Sequence, residues 1–474
     1  MNILRNIPAR LAWLAVAPLL LAGCASLGGK GGIEPVQEAA QARLGATLLA
    51  AASDQDLDRI DERVSELLRR PLSADAAVQI ALLNNRGLQA SLQELGIAEA
   101  EMVQASRLPN PGFSIARLRR GDEREIERGI AFDLAHLVAL PLRRQVESRR
   151  FAAVQRSVTM EMLALAAETR KAFYAAVAAD QTANYMRDVR ATADAGAEMA
   201  KRLAQVGNWT KLQQARQQGF FSEAVLNLAR AESARVSARE RLTRLLGLWG
   251  AQAAFTLPTR LPELPAEPQD QPEIEQLAMA SRLDVQAAKA TVEATAKNLG
   301  LSKVTRFINV FELGYQRNSS NEAPRQTGYE LGFEIPLFDW GDARIAKAEG
   351  LYMQSVHRAA KTAVDARSEV REAYQGYRSA YDIARHYRDD IVPTAKRISD
   401  ENLLLYNGMF ISVFELLADA RAQIAAVNAS IEALRDFWVA RSDLDMALVG
   451  KPSLGGSGPS ASVAGTGGGG AAAH

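Results

Sequence analysis

Two patterns of apolar residues divide this 474-residue chain. Most of it spaces apolar residues three and four positions apart among Ala, Arg, Glu and Gln, which predicts amphipathic helices. The segment GYELGFEIPLFDWG, residues 328 to 341, differs because Tyr329, Leu331 and Phe333 alternate with glycines and glutamates. Strict alternation predicts a strand with one apolar and one polar face.

Four such strands are predicted, arranged as two hairpins. The first pairs residues 112–120 with 126–134, and the second pairs residues 307–317 with 328–335. Four strands cannot close a barrel around a pore, and unpaired strand edges are not tolerated in lipid, so several copies of the chain are expected to contribute. One set of alternating residues then faces lipid and the other a water-filled lumen. Lipid is expected beside Phe132, Leu331, Phe333 and Ile335, and the lumen beside Asp133, Glu330 and Glu334.

The helical pattern after the first hairpin is unusually long. It runs from Pro141 to about Val206, which is about 100 Å at 1.5 Å per residue. A return helix continues to about Leu246, after a turn predicted at Gly207. A helix of that length does not fit in a compact domain, so the pattern predicts a coiled-coil or barrel-like assembly of mutually supporting helices.

The two halves of the chain repeat the same order of elements. Gly408 lies 201 positions after Gly207, and Phe333 lies 201 positions after Phe132. Each unit reads as helix, two strands, very long helix, sharp turn and return helix, so we predict two tandem repeats. Five prolines between residues 258 and 272 predict an extended polar linker between the repeats.

The N-terminal segment predicts export and lipid attachment. Arg5 and Arg10 precede a short apolar run that ends in Leu-Ala-Gly-Cys, and Cys24 is the only cysteine. A basic start, a short apolar run and small residues are typical of a secretory signal. This one resembles the bacterial lipobox, whose cysteine is lipidated and becomes the mature first residue; the alternative is an ordinary signal peptide with a chance cysteine. After Cys24 no stretch approaches the length of about 18 apolar residues that predicts a transmembrane helix.

These boundaries give six segments. They are a signal peptide (1–23), a lipid-anchored arm (24–70), a first repeat (71–257), a Pro-rich linker (258–272), a second repeat (273–449) and a Gly-rich tail (450–474). Within the arm one helix is expected, near Asp56 to Arg69. Ser73 is the expected N-cap of the next helix, which is predicted to run to about Arg107. The tail is low in complexity, which predicts disorder.

Charge and residue spacing argue against nucleic-acid binding and catalysis. Lys and Arg exceed Asp and Glu by only one, and they are scattered, whereas nucleic acid favours a clustered basic surplus. The four histidines lie far apart, and no nucleophile–base pairing, phosphate loop or metal-ligand spacing occurs. We therefore expect neither an enzyme nor a metal site, and no cofactor apart from the covalent lipid on Cys24. The single cysteine also excludes an internal disulfide.

Several motifs recur in order between residues 57 and 449. They are PLSADAAVQIALLNN, LPNPGF, VALPLRRQ, EIPLFDWGDAR and the paired turns VGNWTKLQQAR and YNGMFISVFELLADAR, all following the lipobox. Together they resemble the TolC family of outer-membrane efflux proteins, in its lipoprotein branch. The resemblance implies a homotrimer in the bacterial outer membrane, with a twelve-stranded β-barrel continued by a long α-helical coiled-coil barrel across the periplasm. It also implies an exit duct that passes small molecules or ions outward from an inner-membrane pump and a periplasmic adaptor.

The resemblance assigns the two turns to the periplasmic tips that dock the adaptor. Gly207 and Gly408 match the tip glycines, and both are expected to hold left-handed turns. The docking surface is expected to include Asn208, Tyr406 and Asn407 beside them.

The same comparison assigns a pore gate to the second turn. Glu415 matches an acid that rings the pore mouth of relatives, with a solvated helix acid as the alternative. Ala418 stands where some relatives have a second acid. Met409-Phe410 replaces a basic residue that helps to lock their closed tip, so a hydrophobic gate at Phe410 is expected.

The alternative function is a lipid-anchored periplasmic adaptor or scaffold without a pore. Adaptors usually carry one helical hairpin beside lipoyl-like and β-barrel segments rich in Val and Gly. This chain has two helical hairpins and two amphipathic strand pairs, which favours the channel. The sequence does not identify the cargo, although the second turn resembles those of lipoprotein channels found with metal-handling systems.

Overall fold

The computed structural model describes residues 31–270, 272–304, 311–333, 338, 340–408 and 410–452. This part of the chain is mainly helical with one four-stranded antiparallel sheet, which confirms the expectation of a mainly α fold with a small β part. The tandem repeats, the trimer and the twelve-stranded barrel remain predictions. The first-half elements are α1 (Glu34–Leu44), α2 (Asp54–Leu68), α3 (Ala74–Asn84), α4 (Arg86–Ala105), β1 (Gly112–Arg120), β2 (Glu123–Asp133), α5 (Leu134–Gln205) and α6 (Lys211–Leu246). The second-half elements are α7 (Ile274–Ser281), α8 (Leu283–Val304), β3 (Phe311–Ser320), β4 (Gln326–Phe333), α9 (Asp342–His386), α10 (Val392–Asn407) and α11 (Val413–Ala447). The predicted signal peptide and most of the predicted tail lie outside the described residues.

The helices differ from the sequence-based expectation in three places. The arm carries α1 in addition to the expected helix, now α2. The helix predicted from Ser73 to about Arg107 is divided at Asn85, whose ψ of 115° interrupts the helical backbone and whose side chain caps α4. The long helix α5 begins at Leu134 and contains Pro141, because Asp133 Oδ1 accepts the backbone N–H of His136 at 2.8 Å and starts the helix directly after β2. Ser73 is the N-cap of α3 as expected, and its side chain accepts the N–H of Ala76.

The short helices of each half are fastened to the end of that half's return helix. Asn84 Nδ2 donates to Gly247 O at 2.8 Å, beyond the C-terminus of α6. In the second half Ser281 Oγ donates to Leu448 O at 2.7 Å, beyond the C-terminus of α11. Carbonyl groups at a helix C-terminus lack intrahelical partners, so these side chains supply the missing donors. The parallel supports the prediction of two tandem repeats.

The Pro-rich segment is extended but fixed to the helices. Leu261 and Leu264 are buried, Trp438 Nε1 donates to Pro262 O at 3.1 Å, and the Tyr381 hydroxyl donates to Ala266 O at 2.7 Å. The expectation of a polar linker was therefore incomplete. Large aromatic side chains from α9 and α11 supply apolar contact and hydrogen-bond donors to its backbone.

The long helix of the second half is interrupted where that of the first half is continuous. A π-helical turn, Tyr387–Ile391, separates α9 from α10, and Pro393 follows at the start of α10. Proline lacks a backbone N–H, so it removes one helical hydrogen bond, and a wider turn before it accommodates the ring.

A buried arginine ties the start of α8 to α9 and α11. The Arg282 side chain is 1% exposed and its Nη2 lies 2.6 Å from Asp284 Oδ2 and 2.7 Å from Glu369 Oε2. Its Nη1 also donates to Ala447 O at 3.2 Å. Every polar atom of a buried charge must be matched in this way, since an unpaired buried charge is costly.

We expect Arg282→Ala to lower the free energy of unfolding by about 3–5 kcal/mol, because it leaves Asp284 and Glu369 without their buried cation. Denaturant unfolding of the purified full-length protein in detergent measures the change. Arg230→Ala removes an exposed arginine from α6 and serves as the control, with an effect within about 0.5 kcal/mol. Equal stabilities of the two variants would contradict the assignment of Arg282 as a structural anchor.

Candidate functional site

The two hairpins join into a single sheet in the order β1-β2-β3-β4, all antiparallel. Their turns lie side by side, because the Arg124 N–H donates to Asn321 Oδ1 at 2.6 Å and Asn321 Nδ2 donates to Asp122 O at 3.1 Å. In the described part of the chain β1 and β4 each pair on one side only. The outer edges of the sheet are therefore open.

One face of the sheet is apolar and exposed. Phe132 lies opposite Leu313, which lies opposite Leu331, and cross-strand partners point to the same face. The next row towards the hairpin turns consists of Phe113, Ile130, Tyr315 and Tyr329. The exposed fraction is 85% for Tyr329, 68% for Phe113 and 57% for Leu331.

The other face carries all the acids of the four described strands. By register these are Glu123, Glu125, Glu127, Asp133, Glu312 and Glu330. Asp133, Glu312 and Glu330 are exposed and the other three acids are partly exposed, while most large apolar side chains on the opposite face are exposed as well. A sheet in water normally covers its apolar face and exposes its polar face. This sheet leaves both faces uncovered, so its apolar face needs a surrounding other than water.

The structure places two of the four predicted lipid-facing residues, Phe132 and Leu331, on the apolar face. Phe333 ends β4 opposite Phe311, and Ile335 lies outside the described residues, as does Glu334. Asp133 and Glu330 lie on the acidic face. Contact of the apolar face with lipid remains a prediction.

The first helical turn has the left-handed glycine that the sequence predicted. Gly207 has a φ of +81°. The N–H of Asn208 donates to Leu203 O at 2.9 Å, and the N–H of Gly207 donates to Ala204 O at 3.2 Å. These bonds satisfy carbonyls at the end of α5, and glycine adopts the required backbone without the strain of a Cβ atom.

The second helical turn is built differently, and the expectation of a left-handed Gly408 was wrong. Gly408 has φ −78° and ψ 0° and caps α10 in a right-handed conformation. A Cβ atom at this position would lie 2.8 Å from Phe410 Cδ2. A side chain at position 408 would therefore have to displace the exposed ring of Phe410, a contact that the repeat offset could not reveal.

Glu415 has a local structural role that the sequence reasoning missed. The N–H of Ser412, the N-cap of α11, donates to Glu415 Oε2 at 2.8 Å. In the first turn Thr210 and Gln213 form the equivalent contact, also at 2.8 Å. The pattern Ser or Thr followed three residues later by Glu or Gln is a capping-box signal that both turns display. The assignment of Glu415 to a pore gate remains a prediction.

The two turns share a small core. Tyr406 and Trp209 pack against a buried cluster formed by Ala193, Phe220, Ala224, Val413 and Leu417. Arg421 on α11 pairs with Glu223 on α6 at 2.8 Å and lies over the ring of Phe220 at 5.3 Å. The two helical hairpins are thus joined near their ends.

The surface at the two turns carries both polar and apolar residues. Asn208, Asn407 and Gly408 are exposed, whereas Tyr406 is partly buried in the shared core. Large apolar side chains also reach the surface: Phe410 is 80%, Val206 70%, Leu404 66% and Leu212 61% exposed. We call Val206, Leu212, Leu404 and Phe410 the tip patch.

The lipidation candidate Cys24 lies outside the described residues. Where the described chain begins, the arm packs on α5: Gln155 Nε2 donates to Gly32 O at 2.9 Å, and a Cβ at Gly32 would meet the Phe151 ring. Within the described ranges, no helix is long and apolar enough to cross a membrane. The same ranges contain no group of three His, Cys, Asp or Glu side chains arranged to hold a metal ion.

Known proteins resemble this chain in sequence and in fold. No protein-family model matches the chain. The sequence is 25% identical over 287 residues to the cobalt-zinc-cadmium resistance protein CzcC of Cupriavidus metallidurans, over 59% of this chain and 66% of that protein, slightly less than two thirds. The fold matches CusC, solved in a study of transmembrane channel formation, with a TM-score of 0.65 and 18% identity over 82% of this chain and 92% of that chain. It matches the Campylobacter jejuni outer membrane channel CmeC with a TM-score of 0.68 and 15% identity over 83% and 87%.

The fold is that of the TolC-like outer-membrane channels. The fold that the motif resemblance implies is therefore confirmed. In this chain the sheet lies at one end of the long helices and the joined turns lie at the other.

We expect Glu415→Ala to fray the first turn of α11, because Ser412 loses its carboxylate acceptor; such a cap is worth about 1 kcal/mol. Amide hydrogen exchange should then accelerate about fivefold at residues 412–415. Glu415→Gln retains a side-chain oxygen, as Gln213 does in the first turn, and should exchange like the wild type. Unchanged exchange in Glu415→Ala would show that the contact does not hold the turn.

Proposed function

We propose that this TolC-like chain forms the outer-membrane exit duct of a tripartite efflux system. The observation that carries the proposal is the sorting of residues in the sheet, with exposed aromatic and aliphatic rows on one face and six acids on the other. A transmembrane barrel needs this distribution, because its outer face meets hydrocarbon and its inner face meets water.

We further propose that three copies close the barrel. The open edges β1 and β4 expose backbone donors and acceptors that lipid cannot satisfy. Pairing of β1 in one copy with β4 in the next removes both edges at once, and twelve strands in a ring leave a lumen. The six acids of each copy then line that lumen.

The helical part supports a duct that continues through the periplasm. α5 has 72 residues, about 110 Å at 1.5 Å per residue, and it packs along α6 and α11 rather than folding back on itself. Helices of this length are stable when neighbours cover them. In a trimer the paired hairpins α5–α6 and α9–α11 would form the wall of a helical barrel whose end is the tip patch.

The cargo we propose is cationic. A lumen lined by carboxylates attracts cations and repels anions. The name of the related CzcC refers to cobalt, zinc and cadmium, and divalent cations of this kind fit the acidic face. The part of the chain that the structure describes has no metal cluster, which suits passage rather than retention.

We also propose that Cys24 carries a covalent lipid that holds the arm at the outer membrane. The lipobox supports this assignment, as does the packing of the first described arm residues against the part of α5 that is nearer in sequence to the sheet. Several acyl chains give durable membrane attachment.

We expect Leu331→Lys to reduce the amount of assembled trimer in the outer membrane strongly. Lysine on the lipid face near the bilayer midplane costs about 2–4 kcal/mol per copy, and a trimer carries three copies. Glu330→Lys changes the neighbouring residue on the acidic face and should assemble normally. Unheated gel electrophoresis and cross-linking of membrane fractions measure the trimer, and equal yields of the two variants would refute the assignment of the faces.

We expect Glu415→Gln to preserve the turn but lower cation selectivity if three copies of Glu415 ring the pore mouth. The substitution removes one charge per copy while keeping the cap. The reversal potential of the purified channel in planar bilayers under a salt gradient measures selectivity. An unchanged potential would assign Glu415 to capping alone.

We expect serine at Phe410 or Leu212 to weaken binding of a periplasmic adaptor by about tenfold, because buried apolar anchors dominate such interfaces. Val236→Ser is the matched control: Val236 is 55% exposed on α6 but lies far from the turns. Adaptor binding to the reconstituted channel measures the effect. Identical loss in all three variants, or no loss in any, would contradict docking at the tip patch.

A further inference from the structure

Arginines occupy the apolar face of the sheet at its hairpin end. By register, five of them share the face of Phe132 and Leu331: Arg117, Arg119, Arg124, Arg128 and Arg317. Arg120 is the only described strand arginine on the acidic face, where it lies opposite Glu123. Acids and arginines are thus sorted to opposite faces, although they alternate along the same strands.

The arginines form two cross-strand pairs of like charge. Arg128 lies directly opposite Arg317, and Arg119 lies directly opposite Arg124. Directly opposed like charges destabilise a sheet. Such an arrangement is favourable when an anion lies between the guanidinium groups.

No such anion is supplied by the described residues. All five side chains are exposed. The ion pairs found among the described residues include none of the five, and the side-chain hydrogen bond of Arg119 goes to the neutral carbonyl of Gly121 at 3.1 Å. The nearest acids along the strands, Glu125 and Glu127, point to the opposite face.

The position of the arginines relative to the apolar rows indicates what surrounds their side chains. The Arg128–Arg317 row lies two residues beyond the Ile130–Tyr315 row, about 7 Å along the strands. In a sheet that spans a membrane, hydrocarbon gives way to headgroups where the apolar rows end. Arginine side chains can extend along the apolar surface and place their charge at that level.

We propose that these five arginines bind the phosphate groups of anionic lipids in the leaflet that the hairpin turns reach. Guanidinium groups form paired hydrogen bonds with phosphate oxygens, so opposed arginines on adjacent strands suit a phosphate bridge. This inference rests on the proposed membrane-spanning function. Continuity of the arginines with the apolar rows specifies a lipid headgroup rather than free phosphate, since a soluble anion has no need of the apolar face.

The test uses the full-length channel reconstituted in phosphatidylcholine nanodiscs doped with bisphosphoryl lipid A. Native mass spectrometry after transfer to detergent counts the lipid A molecules retained per assembled channel. We expect the variant carrying Arg119→Gln, Arg124→Gln, Arg128→Gln and Arg317→Gln to retain lipid A more than about tenfold more weakly than the wild type, because each basic residue near an anionic surface contributes to attachment. Arg120→Gln, at the same height on the acidic face, should retain it fully.

Further measurements test the lipid site even if the quadruple variant fails to assemble. If the quadruple variant does not assemble, the wild type alone must prefer bisphosphoryl over monophosphoryl lipid A and must keep its lipid A in millimolar inorganic phosphate. Equal retention by the quadruple variant, no preference for the second phosphate, or displacement by inorganic phosphate would each overturn the proposal. Conductance of the same preparations separates this result from the proposed channel function, because a conducting channel without retained lipid A refutes only the lipid site.

Discussion

The open edges of β1 and β4 are the constraint on which the rest of the account depends. Backbone donors and acceptors at a strand edge must find partners, and lipid offers none. The same sheet exposes aromatic and aliphatic rows on the face opposite its acids, so water is also an unsuitable surrounding for that face. A closed ring of several copies in a membrane satisfies both requirements. Every proposal about the lumen, the lipid face and the arginines follows from that closure.

The helices extend this arrangement away from the sheet. α5 begins at Leu134, directly after Asp133, which caps it while ending β2, so no loop separates strand from helix. At the other end the hairpins are joined by the shared core and by the pairing of Arg421 with Glu223. A change at one turn is therefore felt by both hairpins. This coupling gives the tip patch a fixed geometry, which a docking surface needs.

The sequence allowed prediction of features that depend on a strict local period. Alternation around Leu331 defined a strand and its faces, because a period of two leaves no other choice of face. The right-handed backbone at Gly408 could not be predicted, because a glycine allows both hands and the matching position in the first repeat, Gly207, is left-handed. The pairing of Arg421 with Glu223 joins residues 198 positions apart, and the docking of the Pro-rich segment depends on Trp438 and Tyr381 from distant helices. Helical periodicity carries no information about such partners.

Whether the sheet spans a membrane is tested most directly by measuring what surrounds two adjacent residues in β4. Spin labels are attached to cysteine at Leu331 and, separately, at Glu330 in the channel reconstituted in lipid. Collision rates with oxygen, which concentrates in lipid, and with a water-soluble nickel complex are then compared. If the sheet spans a membrane, the label at position 331 collides mainly with oxygen and the label at position 330 mainly with nickel. Equal access of nickel to both labels would place both faces in water and contradict a membrane-spanning sheet.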